Sequence, residues 1–320
     1  MYFVNQTVIS LNIMITEMSL RSRIDDLPIS MVVVTPMQEP KAVLQLSHGM
    51  CGCKERYMPL MEYMAENGVA CVASDHRGHG DSIRSIDDLG YMYEGGYLAL
   101  VDDLRLVSEW AHKMYPDKPL FLLGHSMGSM AARIYTKFDD SGINGLIVSG
   151  SPGWDPLSHL GRMLTWVLCT IGLSHYRMQI SQRGTSRRYN KKFASEGEQA
   201  WICSDPAERQ SFFNNPVCNF IMTANGLYNV MSMMSETYRK GRWAVTNSAL
   251  PIMFLAGDDD PVMRGEKGFH HAAQNICDRG YTNVTSVFYP GMRHEVLNEI
   301  GKEDVWLEIL QFMGLKSDRA

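Results

Sequence analysis

Six short β-rich runs, each followed by a helical stretch, constrain the fold of this chain more than any other feature. The runs are residues 42–47 (AVLQLS), 68–74 (GVACVAS), 119–123 (PLFLL), 145–149 (GLIVS), 251–256 (PIMFLA) and 283–289 (NVTSVFY). Apolar runs this continuous suit strands buried on both faces. Helical patterns lie between and after them, at 57–67, 97–114, 127–138, 265–279 and 304–313. A strand returns parallel to its predecessor only by crossing a face of the sheet, and the usual crossover is a helix. The alternation therefore predicts an α/β fold, a mostly parallel sheet with helices on both faces. Upstream, 16–23 and 29–35 flank Asp25 and Asp26 as an antiparallel hairpin at one sheet edge.

The rhythm breaks once. Between Ser149 and Pro251 about 100 residues pass without a comparable strand, where a strand-helix-strand unit needs only about 30. An inserted helical segment, a cap or lid at 152–248, is expected there, with the α/β core made of 1–151 and 249–320. The insert holds an apolar stretch at 157–174, a basic one (Arg183, Arg187, Arg188, Lys191, Lys192) and the Met-rich 220–234, FIMTANGLYNVMSMM. A Met stripe at helical spacing reads as core, or as a lid over an apolar pocket, since Met adapts to variable apolar ligands. The apolar stretches would form a pocket wall that also rests on lipid surfaces, with the basic stretch either meeting anionic interfaces or serving as solvated surface.

Charge and cysteine usage narrow the partners. Thirty Lys and Arg against thirty-five Asp and Glu leave a net charge of −5, and no basic run supplies a nucleic-acid footprint. The most apolar stretch, 163–173, is far shorter than the roughly 20 residues of a bilayer-spanning helix. The first residues, MYFVNQTVISLNIM, lack the basic flank and cleavage pattern of a secretory signal, and the seven scattered cysteines read as reduced thiols. A cytoplasmic chain is expected, with the cap as the candidate for peripheral membrane contact. Cys51 and Cys53 are the only close cysteine pair; without a second pair they make no metal site and read as free thiols in a loop. No metal and no cofactor is implied.

Gly124-His125-Ser126-Met127-Gly128 follows the run PLFLL and precedes a small-residue helix, the context that makes G-x-S-x-G meaningful. The turn lifts Ser126 Oγ above the carboxyl edge of the sheet, where open α/β sheets bind ligands. A serine hydroxyl needs a base, itself oriented by a carboxylate. After PIMFLA comes Gly257-Asp258-Asp259-Asp260-Pro261, and after NVTSVFY comes Pro290-Gly291-Met292-Arg293-His294. The order Ser126, Asp260, His294 is that of α/β-hydrolases. Asp260 is favoured because Pro261 keeps its backbone extended while Asp258 and Asp259 sit in the turn; Asp155 is the rival acid. His48 and His125 read as hydrogen-bonding groups beside functional turns, and His76 and His79 as parts of a structural turn. An oxyanion would be met by the backbone amides of Met127 and of Met50, in the loop after AVLQLS.

Together these residues resemble the monoacylglycerol lipase and lysophospholipase branch of the serine α/β-hydrolases, from His48-Gly49 through DHRGHGDS, GHSMG and GDDDPV to GMRHE. The resemblance implies an eight-stranded core, a helical cap shaping an acyl-chain tunnel, and a catalytic triad of Ser126, Asp260 and His294. By resemblance, Arg56 and Tyr57 are the Arg-Tyr pair near the glycerol-binding end; Gly52 stands where characterised members tend to carry a Glu. The activity expected is hydrolysis of a lipid-like carboxylic ester with a small polar alcohol, a monoacylglycerol or lysophospholipid, through an acyl-Ser126 intermediate. Alternatives on the same fold are an aminopeptidase or amidase, a thioesterase or acyltransferase, and an inactive ligand-binding protein, whose mark would be a missing triad residue.

Overall fold

The protein is described by a computed structural model covering residues 3–10 and 12–317. Among the described residues the sheet holds nine strands: β1 (Phe3–Ser10), β2 (Ile13–Arg21), β3 (Pro28–Pro36), β4 (Ala42–Ser47), β5 (Val69–Ser74), β6 (Leu120–His125), β7 (Gly145–Ser149), β8 (Ile252–Gly257) and β9 (Val284–Tyr289). Their spatial order is β1-β2-β3-β5-β4-β6-β7-β8-β9. From β5 to β9 every pairing is parallel, whereas β1, β2 and β3 pair antiparallel. Eight strands match the α/β-hydrolase core, and β1 adds a ninth at the antiparallel edge. The expected hairpin is β2–β3, with Met18 opposite Met31 and Asp26 turning the chain at a φ of 56°.

The helices are α1 (Met58–Glu66), α2 (Gly96–Met114) and α3 (Met127–Phe138), then α4 (Ser158–Thr170), α5 (Gln179–Tyr189), α6 (Pro206–Asn214) and α7 (Ala224–Tyr238) between β7 and β8, and finally α8 (Gly265–Cys277) and α9 (Lys302–Phe312). Side chains alternate across a strand, so neighbouring residues of the central strands enter different layers. Val43, Leu122 and Val148 join the core beneath α2, α3 and α8, while Leu44, Leu123 and Ile147 join the one beneath α1 and α9. This is why those strands read as unbroken apolar runs, each buried aliphatic side chain contributing about 1.5–3 kcal/mol. The run at 283–289 departs from the expectation of burial on both faces: Thr285 and Ser286 are exposed, because β9 is an edge strand that pairs, among the described residues, only with β8.

Between β7 and β8 the described chain forms helices and no strand, only the isolated bridge Arg177–Thr223. The Met-rich stretch is largely core, since Met222 and Met233 are fully buried. Helix α4 lies on α7 so closely that a Cβ at Gly161 would stand 2.5 Å from Met231 Sδ. The other face of α4 points to solvent, leaving Leu160, Met163, Leu164 and Trp166 each more than half exposed. No described helix is long and apolar enough to cross a membrane.

Candidate active site

The site grows from the end of β6. The chain passes from strand to helix at Ser126, whose backbone sits at φ 54°, ψ −116°, a sparsely populated region costing about 1–3 kcal/mol. The Ser126 N–H donates to Ser149 O at 2.9 Å, tying the turn to the end of β7. Crowding explains the flanking glycines. A Cβ on Gly124 would lie 2.4 Å from Gly128 O, and one on Gly128 would lie 2.0 Å from Ser47 O. Both obstacles are backbone, so Gly128→Ala is expected to cost about 3 kcal/mol, seen as a lowered Tm. An unchanged Tm would show that β4 yields.

His294 occupies the loop between β9 and α9, and Asp260 the loop after β8. The Ser126 hydroxyl meets His294 Nε2 at 2.8 Å, and His294 Nδ1 meets Asp260 Oδ2 at 3.0 Å. Asp260 is buried, and its Oδ1 accepts the Val262 N–H at 2.8 Å, which fixes the carboxylate plane. Burial of His294 opposes its protonation, but the charge and hydrogen bond of Asp260, with Glu295 adding to them, raise its pKa above the ordinary 6.5. The other candidate acids face elsewhere. Asp258 accepts from the Gly291 N–H, Asp259 pairs with Lys192, and Asp155 pairs with Arg264 at 2.8 Å.

A second row of groups supports the imidazole. His125 Nε2 donates to the His294 carbonyl at 3.2 Å, leaving Nδ1 to accept the Tyr57 hydroxyl at 3.1 Å. Burial, reinforced by the nearby His294, pulls the His125 pKa down to about 4, so it stays neutral. Arg56 is paired with half-buried Glu295, the residue after His294, and lies over the Phe212 ring. The side chains of Arg56 and Tyr57, expected at the alcohol end of a substrate, are thus taken up by protein partners that brace the His294 loop.

Gly49 brings the loop after β4 against Ser126: a Cβ there would stand 3.3 Å from Ser126 Cβ. That loop is held by His48, which accepts the His76 N–H at 2.9 Å through Nε2 and donates to Gly49 O at 2.8 Å through Nδ1. Met50 follows in this loop, while Met127 opens α3, where a helix leaves its first N–H groups without intrahelical acceptors. The acidic trio Glu55, Asp75 and Asp81 surrounds Lys54 Nζ at 2.6, 2.7 and 2.8 Å, so a protein ammonium fills the place a cation would take.

Trp201, which the sequence reading did not single out, comes from the segment between β7 and β8 and places its ring 5.3 Å from that of His294. Its indole N–H donates to Ser186 Oγ at 3.2 Å. Beside it, Arg293 forks onto Glu196 at 2.7 and 2.8 Å. The Trp201–His294 and Arg293–Glu196 contacts each join positions more than 90 residues apart, and no local pattern announces them.

Residues 38–301 match the family described as serine aminopeptidase, S33. The chain belongs to that family. It is 23% identical to a monoacylglycerol lipase of Mycolicibacterium smegmatis over 268 residues, 83% of this chain and 86% of the relative. It is 32% identical to a monoglyceride lipase of Rattus norvegicus over 163 residues, about half of each chain. Among solved structures, a thermostable carboxyl esterase from Bacillus coagulans in complex with glycerol superposes with a TM-score of 0.85 at 27% identity, covering 94% of this chain and 98% of that one. This member of the S33 family is an enzyme of the α/β-hydrolase type, in the monoacylglycerol lipase and lysophospholipase branch.

Proposed function

We propose that this enzyme hydrolyses carboxylic esters of long apolar acids with small polar alcohols, monoacylglycerols or lysophospholipids, through an acyl-Ser126 intermediate. The observation that carries this reading is the unbroken hydrogen-bonded row Ser126–His294–Asp260 at 2.8 and 3.0 Å. As Ser126 Oγ attacks the ester carbonyl, His294 Nε2 takes its proton, and Asp260 stabilises the imidazolium without taking a proton itself. The amides of Met50 and Met127 receive the oxyanion, each donor supplying about 3–4 kcal/mol by the usual mutational measure. His294 then protonates the departing alcohol, and water repeats the sequence on the acyl-enzyme. Arg56 and Tyr57 act as positioning residues, through Glu295 and His125.

Residues 152–248 serve as the lid in this reading. The exposed apolar face of α4 favours docking on lipid surfaces, and the basic side chains of α5 lie close by in the chain. Such a face would let the enzyme take its substrate from an interface rather than from water.

The family's descriptive name raises an aminopeptidase as the rival. A substrate ammonium needs an unclaimed carboxylate, and the acids around the site are engaged: Asp260 with His294, Glu295 with Arg56, Asp155 with Arg264, Asp259 with Lys192 and Glu196 with Arg293. That accounting favours an ester. Each buried CH₂ contributes about 0.8 kcal/mol, so kcat/KM should rise severalfold per methylene along a p-nitrophenyl ester series until the acyl site is full. Monoacylglycerols should be turned over and aminoacyl anilides should not. A profile flat or falling from acetate upward would overturn the long-chain reading.

A further inference from the structure

Cys51-Gly52-Cys53 has no part in the proposed chemistry, yet it is where the loop carrying Met50 meets the segment between β7 and β8. Cys53 Sγ lies 3.3 Å from Cys218 Sγ, across 165 residues of chain, with both side chains buried. Around this pair the Asn219 N–H donates to Cys51 O at 2.9 Å, Cys51 Sγ to Phe220 O at 3.2 Å, and Asn215 Nδ2 to Cys53 Sγ at 3.5 Å. Cys51 has a φ of 59°, unfavourable for a residue with a side chain, and Asn219 holds its carbonyl in that conformation. The shape of the loop after β4 therefore depends on residues 215–220 staying seated.

We propose that Cys53 and Cys218 form a redox clasp, a thiol pair that a two-electron oxidant such as hydrogen peroxide converts into a disulfide, locking residues 215–220 onto the Met50 loop. An S–S bond is about 2.05 Å long, so the sulfurs must approach by about 1.3 Å. Cys53 precedes a short 3₁₀ turn and Cys218 lies in the connection between α6 and α7, so neither is fixed inside a strand or long helix. In the seated state the Cys218 contact and burial push the Cys53 thiol well above its usual pKa, which protects it. Oxidation begins when the segment lifts and water reaches the pair. One thiolate then attacks a peroxide oxygen, the O–O bond breaks, and a sulfenic acid and water result. The second sulfur displaces the sulfenic hydroxyl as water, forming the S–S bond. In sum, two thiols lose two electrons and two protons, and one peroxide becomes two waters. The gating half of the proposal rests on the lid reading above; the disulfide itself does not.

The full-length enzyme, reduced and then treated with hydrogen peroxide, is mapped by non-reducing peptide mass spectrometry and assayed on acetyl and dodecanoyl p-nitrophenyl esters. The expected map joins the Cys53 and Cys218 peptides with the loss of two hydrogens, and Tm rises because the cross-link constrains the unfolded chain. Dodecanoyl kcat/KM falls about tenfold, as expected if the lock reduces the open population tenfold, and dithiothreitol restores it. Acetyl turnover falls less. Cys53→Ser and Cys218→Ser, made separately so that a folding defect in one leaves the other, keep their activity in peroxide. Oxidation of other cysteines without the Cys53–Cys218 link overturns the proposal, as does the link with unchanged dodecanoyl turnover. Reduced enzyme inactive on every ester would instead strike the ester-hydrolase reading, because the peptide map is read without activity.

Discussion

Ser126→Ala should leave a folded protein whose kcat is lower by roughly 10⁶, the scale for removing the nucleophile of a serine-histidine-aspartate triad. A loss this large is expected if the Ser126–His294–Asp260 row works as proposed: without Oγ, His294, 2.8 Å away, would have nothing to deprotonate. The fold should survive, because the Ser126 backbone, not its hydroxyl, holds the turn through the 2.9 Å bond to Ser149 O. A fluorophosphonate probe should label the parent and not the variant, and the two should give matching circular dichroism spectra. Equal labelling of both would remove Ser126 from its assigned role.

His294→Ala should cost about as much as losing the serine, and Asp260→Asn roughly 10⁴ in kcat, since the acid orients the base without exchanging the proton. The pH profile separates the two roles. Catalysis needs neutral His294, so kcat/KM should climb with pH to a plateau, with its midpoint above 6.5 because Asp260 and Glu295 outweigh burial. Asp260→Asn removes the main raising influence and leaves the burial, so the midpoint of the residual activity should move to lower pH. A midpoint that stays put would mean that the carboxylate does not control the base. Asp155→Asn and Asp259→Asn should leave kcat near the parent value, as both acids are paired with surface cations rather than with His294. Loss of turnover in Asp155→Asn with survival in Asp260→Asn would reverse the assignment of the acid.

The α/β alternation was legible in the sequence because it is written in local terms. A strand buried on both faces must be apolar at successive positions, as in AVLQLS and PLFLL, and a strand-to-helix turn that crowds Gly124 and Gly128 against backbone must carry glycine there. Ser126, Asp260 and His294 could be nominated for the same reason, since each follows closely the end of an apolar run in a parallel sheet whose loops share one edge. What depended on contacts between distant positions was decided only by the tertiary structure. It sets Asp260, not Asp258 or Asp259, against His294, and it places Arg56 beside Glu295 and Tyr57 beside His125. It also exposes two residues of β9 by leaving that strand at an edge, turns the apolar face of α4 to solvent, and sets Cys53 beside Cys218. Propensity and periodicity act over a few residues, whereas these pairings join residues from about 30 to more than 200 positions apart, and packing alone chooses among the partners available at such range.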